Sequence, residues 1–351
     1  MKRLVDYKEE IHSCSKCGLC QSVCPIYKIT GNDCTVSRGL FIMLKRVING
    51  ELKISKQINK YLDMCLKCGA CSKFCPSGID VVDIIGAAKA EYFKTHKIEL
   101  LKSFFLKILL NIIFVIGKIL PKKQSKTFDK KVIYFAGCSD KGINAGFSVV
   151  KILNALGIEV IIPDFGCCGY PFFVRGDIVN FKEYMDKFYS VLSKYEICDV
   201  ITNCATCEKV LKSYAKWTGD NSVIVRNIFE YIKDNNLSLN LALKKEKTVT
   251  FHKPCNMENY EIIKQILENT KNLTYVEMKD FDKCCGFNCL TDLNNKKIVS
   301  ELYEEKHKNI KNTGAKIVLT SCAACEVTLK LFSKFKYKVC DLLEFLAKNL
   351  V

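Results

Sequence analysis

Residues 164–171 read DFGCCGYP, and residues 282–289 read DKCCGFNC. An adjacent cysteine pair followed by glycine is uncommon, and here it occurs twice with matching cysteines on both sides. Cys138, in YFAGC, precedes the pair Cys167–Cys168, and Cys204 and Cys207, in NCATC, follow it. Cys255, in FHKPC, precedes the pair Cys284–Cys285, and Cys322 and Cys325, in SCAAC, follow it. Between copies the single cysteine is offset by 117 residues, the pair by 117, and the first cysteine of C-x-x-C by 118. A five-cysteine unit, C…CC-G…C-x-x-C, is therefore duplicated with its spacing kept to within one residue. A ligand set repeated at a fixed period means two copies of one supersecondary unit.

The segments around each set alternate between strand and helix. In the first copy VIYFAGC, IEVIIPD and DVITNC read as short buried strands, with helices predicted over 143–156, 177–195 and from 204 onward. In the second, TVTFHKPC, LTYVEM and KIVLTSC read as strands, with helices over 258–269, 293–312 and from 322 onward. Such alternation predicts parallel sheets in α/β layers. Sites in these sheets gather beyond the carboxyl ends of strands, where Cys138, Cys204, Cys255 and Cys322 are predicted to lie. Gly169 and Gly286 would let backbone approach a bound group closely. Helix N-termini after Cys204 and Cys322 would stabilise thiolate charge.

The chain has 351 residues, long enough for two or three domains with a real core. Its 49% apolar and 26% charged content is ordinary for a globular protein, whereas 22 cysteines are not. Cysteine-dense disulfide scaffolds are short and secreted, and the opening MKRLVDYKEE has no apolar core of a signal peptide. The cysteines cluster at two- and three-residue gaps, which suits a shared metal core better than pairwise bridges. The expectation is a reducing, cytoplasmic setting. The formal charge of +17 comes from lysines spread along the whole chain. No basic stripe alternates with exposed aromatics, so nucleic acid is not an expected partner.

Nearer the N-terminus stand CSKCGLCQSVCP, with Cys14, Cys17, Cys20 and Cys24, and CLKCGACSKFCP, with Cys65, Cys68, Cys71 and Cys75. Each is C-x2-C-x2-C-x3-C-P, the bacterial ferredoxin run for a [4Fe–4S] cluster, whose fourth cysteine ligates the other cluster in two-cluster ferredoxins. One cluster is thus assigned to Cys14, Cys17, Cys20 and Cys75, and the other to Cys65, Cys68, Cys71 and Cys24. A pair of zinc knuckles is the competing assignment; four cysteines per run and the trailing prolines Pro25 and Pro76 speak against it. Helices are expected over 1–12, 37–48, 57–64 and 79–97, giving a helical ferredoxin domain. Cys34, in the insert between the runs, reads as an incidental thiol.

Residues 98–120 read IELLKSFFLKILLNIIFVIGKIL, the most apolar part of the chain. Lys102, Lys107 and Lys118 interrupt it, so it is too short and too charged to span a bilayer. At 100° per residue Ser103, Lys107, Asn111 and Lys118 form one narrow polar stripe on a broadly apolar helix. Lys122, Lys123, Lys126, Lys130 and Lys131 follow. Such a helix lies on an anionic membrane surface, docks on a partner protein, or buries itself between domains.

Five cysteines exceed a tetrahedral zinc site by one, and soft thiolates in that number favour an iron–sulfur cluster. Structural zinc, or disulfide exchange at Cys204-x-x-Cys207 and Cys322-x-x-Cys325, is the alternative. Cys289 fits neither pattern; Cys198 and Cys340 lie in apolar stretches and read as core. No G-x-G-x-x-G follows a predicted strand, so no flavin or nicotinamide is expected on this chain.

Two ferredoxin runs followed by two CCG units resemble the iron–sulfur subunits of glycolate and lactate oxidases, of anaerobic glycerol-3-phosphate dehydrogenase and of heterodisulfide reductase. The resemblance runs from Cys14 to Cys325, and Ser37-Arg38-Gly39 and the PSG after Cys75 are most similar to the glycolate-oxidase subunit. It implies a non-cubane [4Fe–4S] cluster on all five cysteines of each complete set. One would use Cys138, Cys167, Cys168, Cys204 and Cys207, the other Cys255, Cys284, Cys285, Cys322 and Cys325. Glycolate-oxidase relatives often lose part of a C-x-x-C, whereas both sets here are complete, as in heterodisulfide reductases.

The expected fold is thus α+β and multidomain. A helical ferredoxin domain (1–97) with two cubane [4Fe–4S] clusters leads through an amphipathic helix and basic linker (98–130) to two α/β CCG units with small parallel sheets (131–245 and 246–351). The resemblance implies an electron-transfer subunit serving an FAD-containing 2-hydroxyacid dehydrogenase, with a quinone or membrane-surface contact through 98–131 on the inner face of the membrane. The alternative it implies is disulfide reduction at a non-cubane cluster.

Overall fold

The computed structural model describes residues 2–119, 125–137, 145–197, 199–287, 296–333 and 336–351. Cys138, Cys198 and Cys289 lie outside the described residues, as do the lysines at 122 and 123 and the first residues of the helices expected from 143 and 293. The chain divides into two compact units. The first comprises the residues up to Phe105 with Pro171–Val179 and Lys283–Lys306; the second comprises Leu106–Tyr170, Asn180–Asp282 and His307–Val351.

The N-terminal part of the first unit is built from short helices. Ser37–Ile48 buries Leu40, Phe41 and Leu44 and turns Lys45 and Arg46 away, the spacing of a one-sided apolar stripe. Lys56–Met64 starts where the Ser55 hydroxyl accepts the Ile58 N–H at 3.3 Å. Val81–Thr95 starts where the Asp80 carboxylate accepts the Asp83 N–H at 3.4 Å. These side chains satisfy amides that the first helical turn leaves orphaned. Leu4, Tyr7 and Ile11, from the leading 3-10 turn and helix, close the core with Leu62, Ile84, Ile85 and Ala88. The sequence reading of 37–48, 57–64 and 79–97 differs from the observed helices only at their ends.

Gly39 explains part of the Ser37-Arg38-Gly39 signature. A Cβ at this position would lie 2.1 Å from the Asp33 carbonyl oxygen. The Ser37–Ile48 helix therefore packs directly on the Asp33–Thr35 turn, which fixes where its first residues point.

The second unit contains both sheets. β1 (Lys130–Tyr134), β2 (Ile158–Ile161), β3 (Asp199–Thr202) and β4 (Ile224–Asn227) form an all-parallel sheet in the order β2-β1-β3-β4. β5 (Ala242–Phe251), β6 (Lys271–Tyr275), β7 (Ile317–Thr320) and β8 (Lys338–Asp341) form the second, in the order β6-β5-β7-β8. The same order in both is the duplication expressed as topology. β4 and β8 end in the same device. Asn227 accepts the Phe229 N–H at 3.1 Å, Asp341 accepts the Leu343 N–H at 2.9 Å, and each starts a helix that folds back on its sheet. One hydrophobic core serves both sheets, joining Val132, Tyr134 and Ile201 to Val249, Phe251, Leu319, Leu342 and Leu346.

The helix Lys97–Ile119 turns Ser103 inward and leaves Asn111, on the same polar stripe, exposed. Ser103 is buried and donates to the Asp177 carboxylate, and Lys107 pairs with Glu183 at 2.6 Å. Leu110 and Phe114 are buried as well. The exposed apolar residues are Ile98, Leu100, Leu101, Phe104, Phe105, Ile108, Leu109, Ile112 and Val115, which fall within one half of the circumference at 100° per residue. Among the described residues, no helix is long and apolar enough to cross a membrane.

The Gly39 contact makes a direct prediction. Gly39→Ala should cost about 1–3 kcal/mol, the usual penalty of forcing a methyl group into filled space. A thermal melt of the anaerobically purified protein should show the transition several degrees lower; an unshifted melt would mean that the turn does not depend on this close approach.

Candidate metal centres

The two ferredoxin runs are bent by the same backbone device. The lysine two residues after the first cysteine is left-handed in both, Lys16 at φ +58° and Lys67 at φ +53°. So is the glycine after the second cysteine, Gly18 at +84° and Gly69 at +73°. Left-handed lysine is uncommon, and strain of this kind persists only where the surroundings impose it. These turns curl each run around a cavity, with Cys17 exposed and the other cysteines half-buried, and a short helix follows, Leu19–Val23 or Ala70–Lys73.

Cys14, Cys17, Cys20 and Cys75 line one cavity, with Ser37, Arg38 and Pro76. Cys24, Cys65, Cys68 and Cys71 line a second, with Ser37, Lys67 and Gly69. Cys71 and Ser37 border both. The fourth cysteine of each run thus stands with the first three of the other. Backbone amides point at sulfur, from Lys67 to Cys65 Sγ at 3.4 Å and from Tyr27 to Cys24 Sγ at 3.5 Å. Burial pushes the Cys71 thiol well up, and the sulfurs of Cys65, Cys68 and Cys24 push it further. Burial likewise raises that of Cys24. Four crowded thiols with amide donors aimed at them fit a thiolate-ligated metal cluster, whose positive iron offsets this mutual repulsion.

In the second unit, Cys167, Cys168 and Cys207 are buried and Cys204 is half-buried. Hydrogen bonds from the Cys167 and Cys207 thiols hold Cys168 well below the usual thiol range. Cys207 is held above it by its bonds with Cys168 and Cys204 and by burial. Cys204 is the N-cap of the helix Ala205–Thr218, as its place after β3 predicts. The Tyr214 hydroxyl donates to the Cys168 carbonyl at 2.9 Å and holds the pair's backbone. A Cβ on Gly137 would lie 3.1 Å from Cys207 Sγ, so the chain leading to position 138 runs close beside the sulfurs. Gly169 serves packing instead: at φ +72°, its Cβ would meet the Phe181 ring at 2.9 Å. Gly286 likewise faces Leu302, at 3.3 Å.

In the second copy, Cys322 and Cys325 are buried and Cys255 is half-buried, all in the second unit. Cys284 and Cys285 belong to the first unit, half-buried and buried respectively. The two C-x-x-C turns adjoin each other. The Ala205 N–H donates to the Ser321 carbonyl at 3.4 Å, and Thr206 Oγ1 lies 3.6 Å from Cys322 Sγ.

Cys34 and Cys340 are half-buried, and Cys34 is not among the cysteines that line either ferredoxin cavity. Cys340 sits in β8, a strand the sequence reading did not anticipate. That reading also passed over His252, fully buried, with a ring nitrogen within 4.8 Å of Cys325 Sγ. The signal was present in FHKPC, where histidine stands in register with Phe135 of YFAGC.

Comparison with known proteins agrees with this layout. Residues 10–79 match the 4Fe-4S dicluster domain family, and residues 132–212 and 249–330 match the cysteine-rich CCG domain family. The glycolate oxidase iron–sulfur subunit of Escherichia coli is 21% identical over 93% of this chain and 91% of its own length. A subunit of the dihydromethanophenazine:CoB–CoM heterodisulfide reductase of Methanosarcina acetivorans is 24% identical over 91% of this chain and 88% of its own. A crystal structure of a hypothetical protein from Helicobacter pylori superposes with a TM-score of 0.53 at 11% identity, covering 98% of this chain and 74% of that one, a likeness of fold alone. The chain is an iron–sulfur protein and a member of the superfamily of CCG-domain oxidoreductase subunits, a dicluster ferredoxin domain followed by two cysteine-rich repeats.

Proposed function

We propose that this chain carries single electrons from a flavoprotein dehydrogenase that oxidises a 2-hydroxy acid of the glycolate or lactate type to a quinone or another acceptor. The observation that carries this reading is the crowding of sulfur into adjacent pairs of sites. Two cysteine-lined cavities share Cys71 and Ser37 as a wall, and two C-x-x-C turns adjoin through Thr206 and Cys322. Sites this close suit electron hopping. No G-x-G-x-x-G follows a strand in the sequence, so the hydride chemistry falls to a partner that binds FAD.

The ferredoxin ligand sets are read from the C-x2-C-x2-C-x3-C-P spacing, and the two cysteine-lined cavities support them. One [4Fe–4S] cubane takes Cys14, Cys17, Cys20 and Cys75, and the other takes Cys65, Cys68, Cys71 and Cys24. By resemblance to heterodisulfide reductases, the CCG clusters would be of non-cubane type, one on Cys138, Cys167, Cys168, Cys204 and Cys207 and the other on Cys255, Cys284, Cys285, Cys322 and Cys325. When bound, the clusters supply one-electron redox chemistry. The chain's own groups hold the thiolates, exclude water from the buried cysteines and aim amides at sulfur.

A second reading, disulfide reduction at a CCG cluster, is favoured by both C-x-x-C turns being complete and side by side. Partner identity decides between the two. Capture of an FAD-binding dehydrogenase by the native chain supports relay. Capture of a cytochrome or ferredoxin-linked flavoprotein, with disulfide reductase activity in the pure complex, supports catalysis.

The exposed face of Lys97–Ile119 supports contact with the surface of an anionic membrane. It presents nine large apolar side chains, more than an isolated soluble surface carries without a purpose, on a chain of formal charge +17.

Anaerobically purified chain should contain about 16 irons, four clusters of four; zinc in their place would reject the reading. Cys322→Ser should remove one CCG signal from the electron paramagnetic resonance spectrum and leave the ferredoxin signals intact. Phe105→Glu with Leu109→Glu should abolish sedimentation of the chain with vesicles of anionic lipid, and undiminished sedimentation would discard the membrane contact.

A further inference from the structure

The two CCG copies are not chemically equivalent at one position, and the difference lies against sulfur. Phe135 and His252 occupy the same place in their sheets. The Phe135 N–H donates to the Ile201 carbonyl at 2.8 Å, and the His252 N–H donates to the Leu319 carbonyl at 2.8 Å. Each stands three residues before the single cysteine of its set, offset by the repeat length of 117. Both side chains are fully buried. There the likeness ends. Phe135 stacks on Phe165 with ring centroids 5.4 Å apart, an apolar contact in an aromatic cluster that also holds Phe188. The imidazole of His252 instead places a nitrogen within 4.8 Å of Cys325 Sγ.

Burying an imidazole where the sister copy holds a phenyl ring costs free energy unless the ring makes polar bonds. Thiolates and sulfides of an iron–sulfur cluster are soft anionic acceptors. Donors to them stabilise the reduced, more negative state, and hydrogen bonds to the sulfurs are among the factors that set cluster potentials. A ring N–H placed here has no counterpart in the first copy, where carbon occupies the position.

We propose that His252 donates a hydrogen bond to the sulfur shell of the second CCG centre, at Cys325 or the adjoining cluster sulfur, and thereby holds the potential of that centre above that of the first. The proposal rests on the reading that both CCG sets bind clusters. It gives the relay a direction. An electron leaving the reduced first centre oxidises it and reduces the second, across the adjoining C-x-x-C turns. The second centre is then where electrons collect before leaving the chain. His252 is a positioning residue in this account and is not an iron ligand.

The test is a potentiometric titration of the anaerobically purified full chain, followed by electron paramagnetic resonance, with iron measured on the same samples. The signal of the second centre is the one missing in Cys322→Ser. His252→Phe installs the residue that the first copy carries, a side chain this fold already accommodates there. It should keep its iron and lower the midpoint potential of the second centre towards that of the first. His252→Gln, which retains an N–H donor, should fall between the wild type and His252→Phe. An unchanged potential in His252→Phe would overturn the proposal. So would selective loss of iron from the second centre, which would make the histidine a ligand. A wild-type chain with iron in the ferredoxin runs alone would refute the underlying cluster assignment instead, before any variant is compared.

Discussion

A thiol packed among other thiols and cut off from water holds its proton tightly, because every neighbouring sulfur that ionises makes its own ionisation harder. Cys71 shows this most plainly, pushed up by burial and then by three other cysteines of its cavity. Metal reverses the balance, since iron converts mutual repulsion into shared coordination. Much of the first unit serves to hold sulfurs in this otherwise unfavourable proximity. Left-handed turns at Lys16 and Lys67 accept strain to curl the runs around their cysteine-lined cavities. The Ser37–Ile48 helix, pressed onto a turn through Gly39, places Ser37 between the two cavities.

The second unit solves the same problem with sheets. Parallel strands end together at one edge, so side chains just past their ends converge without any single loop having to reach far. Cys204 and Cys322 both stand two residues past a central strand and at the head of a helix, where orphan amides favour negative charge. The duplicated topology brings the two heads side by side, and the exchange between Ala205 and Ser321 follows from that placement.

Much of this was legible in the sequence, because cysteine spacing and short buried strands are local signals. The ferredoxin runs, the repeat, and the strands ending before Cys204 and Cys322 all belong to that class. What escaped the reading depended on distant partners. β4 and β8 are short edge strands that carry Arg226 and Lys338, too brief and too charged for a periodicity argument. The burial of Ser103 depends on Asp177, more than seventy residues away, whose carboxylate accepts its hydroxyl. Gly169 was expected to make room for a bound group, and its neighbour is the Phe181 ring. His252 carries no spacing signal of its own; only the fold sets it beside Cys325.

The single hydrophobic core shared by the two sheets constrains how the repeats exist at all. The C-terminal segment returns to the head of the second sheet, where the Ala242 N–H meets the Asn349 carbonyl at 3.0 Å. From the opposite copy, Lys151 donates to the Ala347 carbonyl at 2.5 Å. Neither half covers its own greasy surface, so each acts as the other's lid. A gene encoding one repeat would make a product that stays folded only by self-association, and tandem fusion renders that association permanent at any cellular abundance.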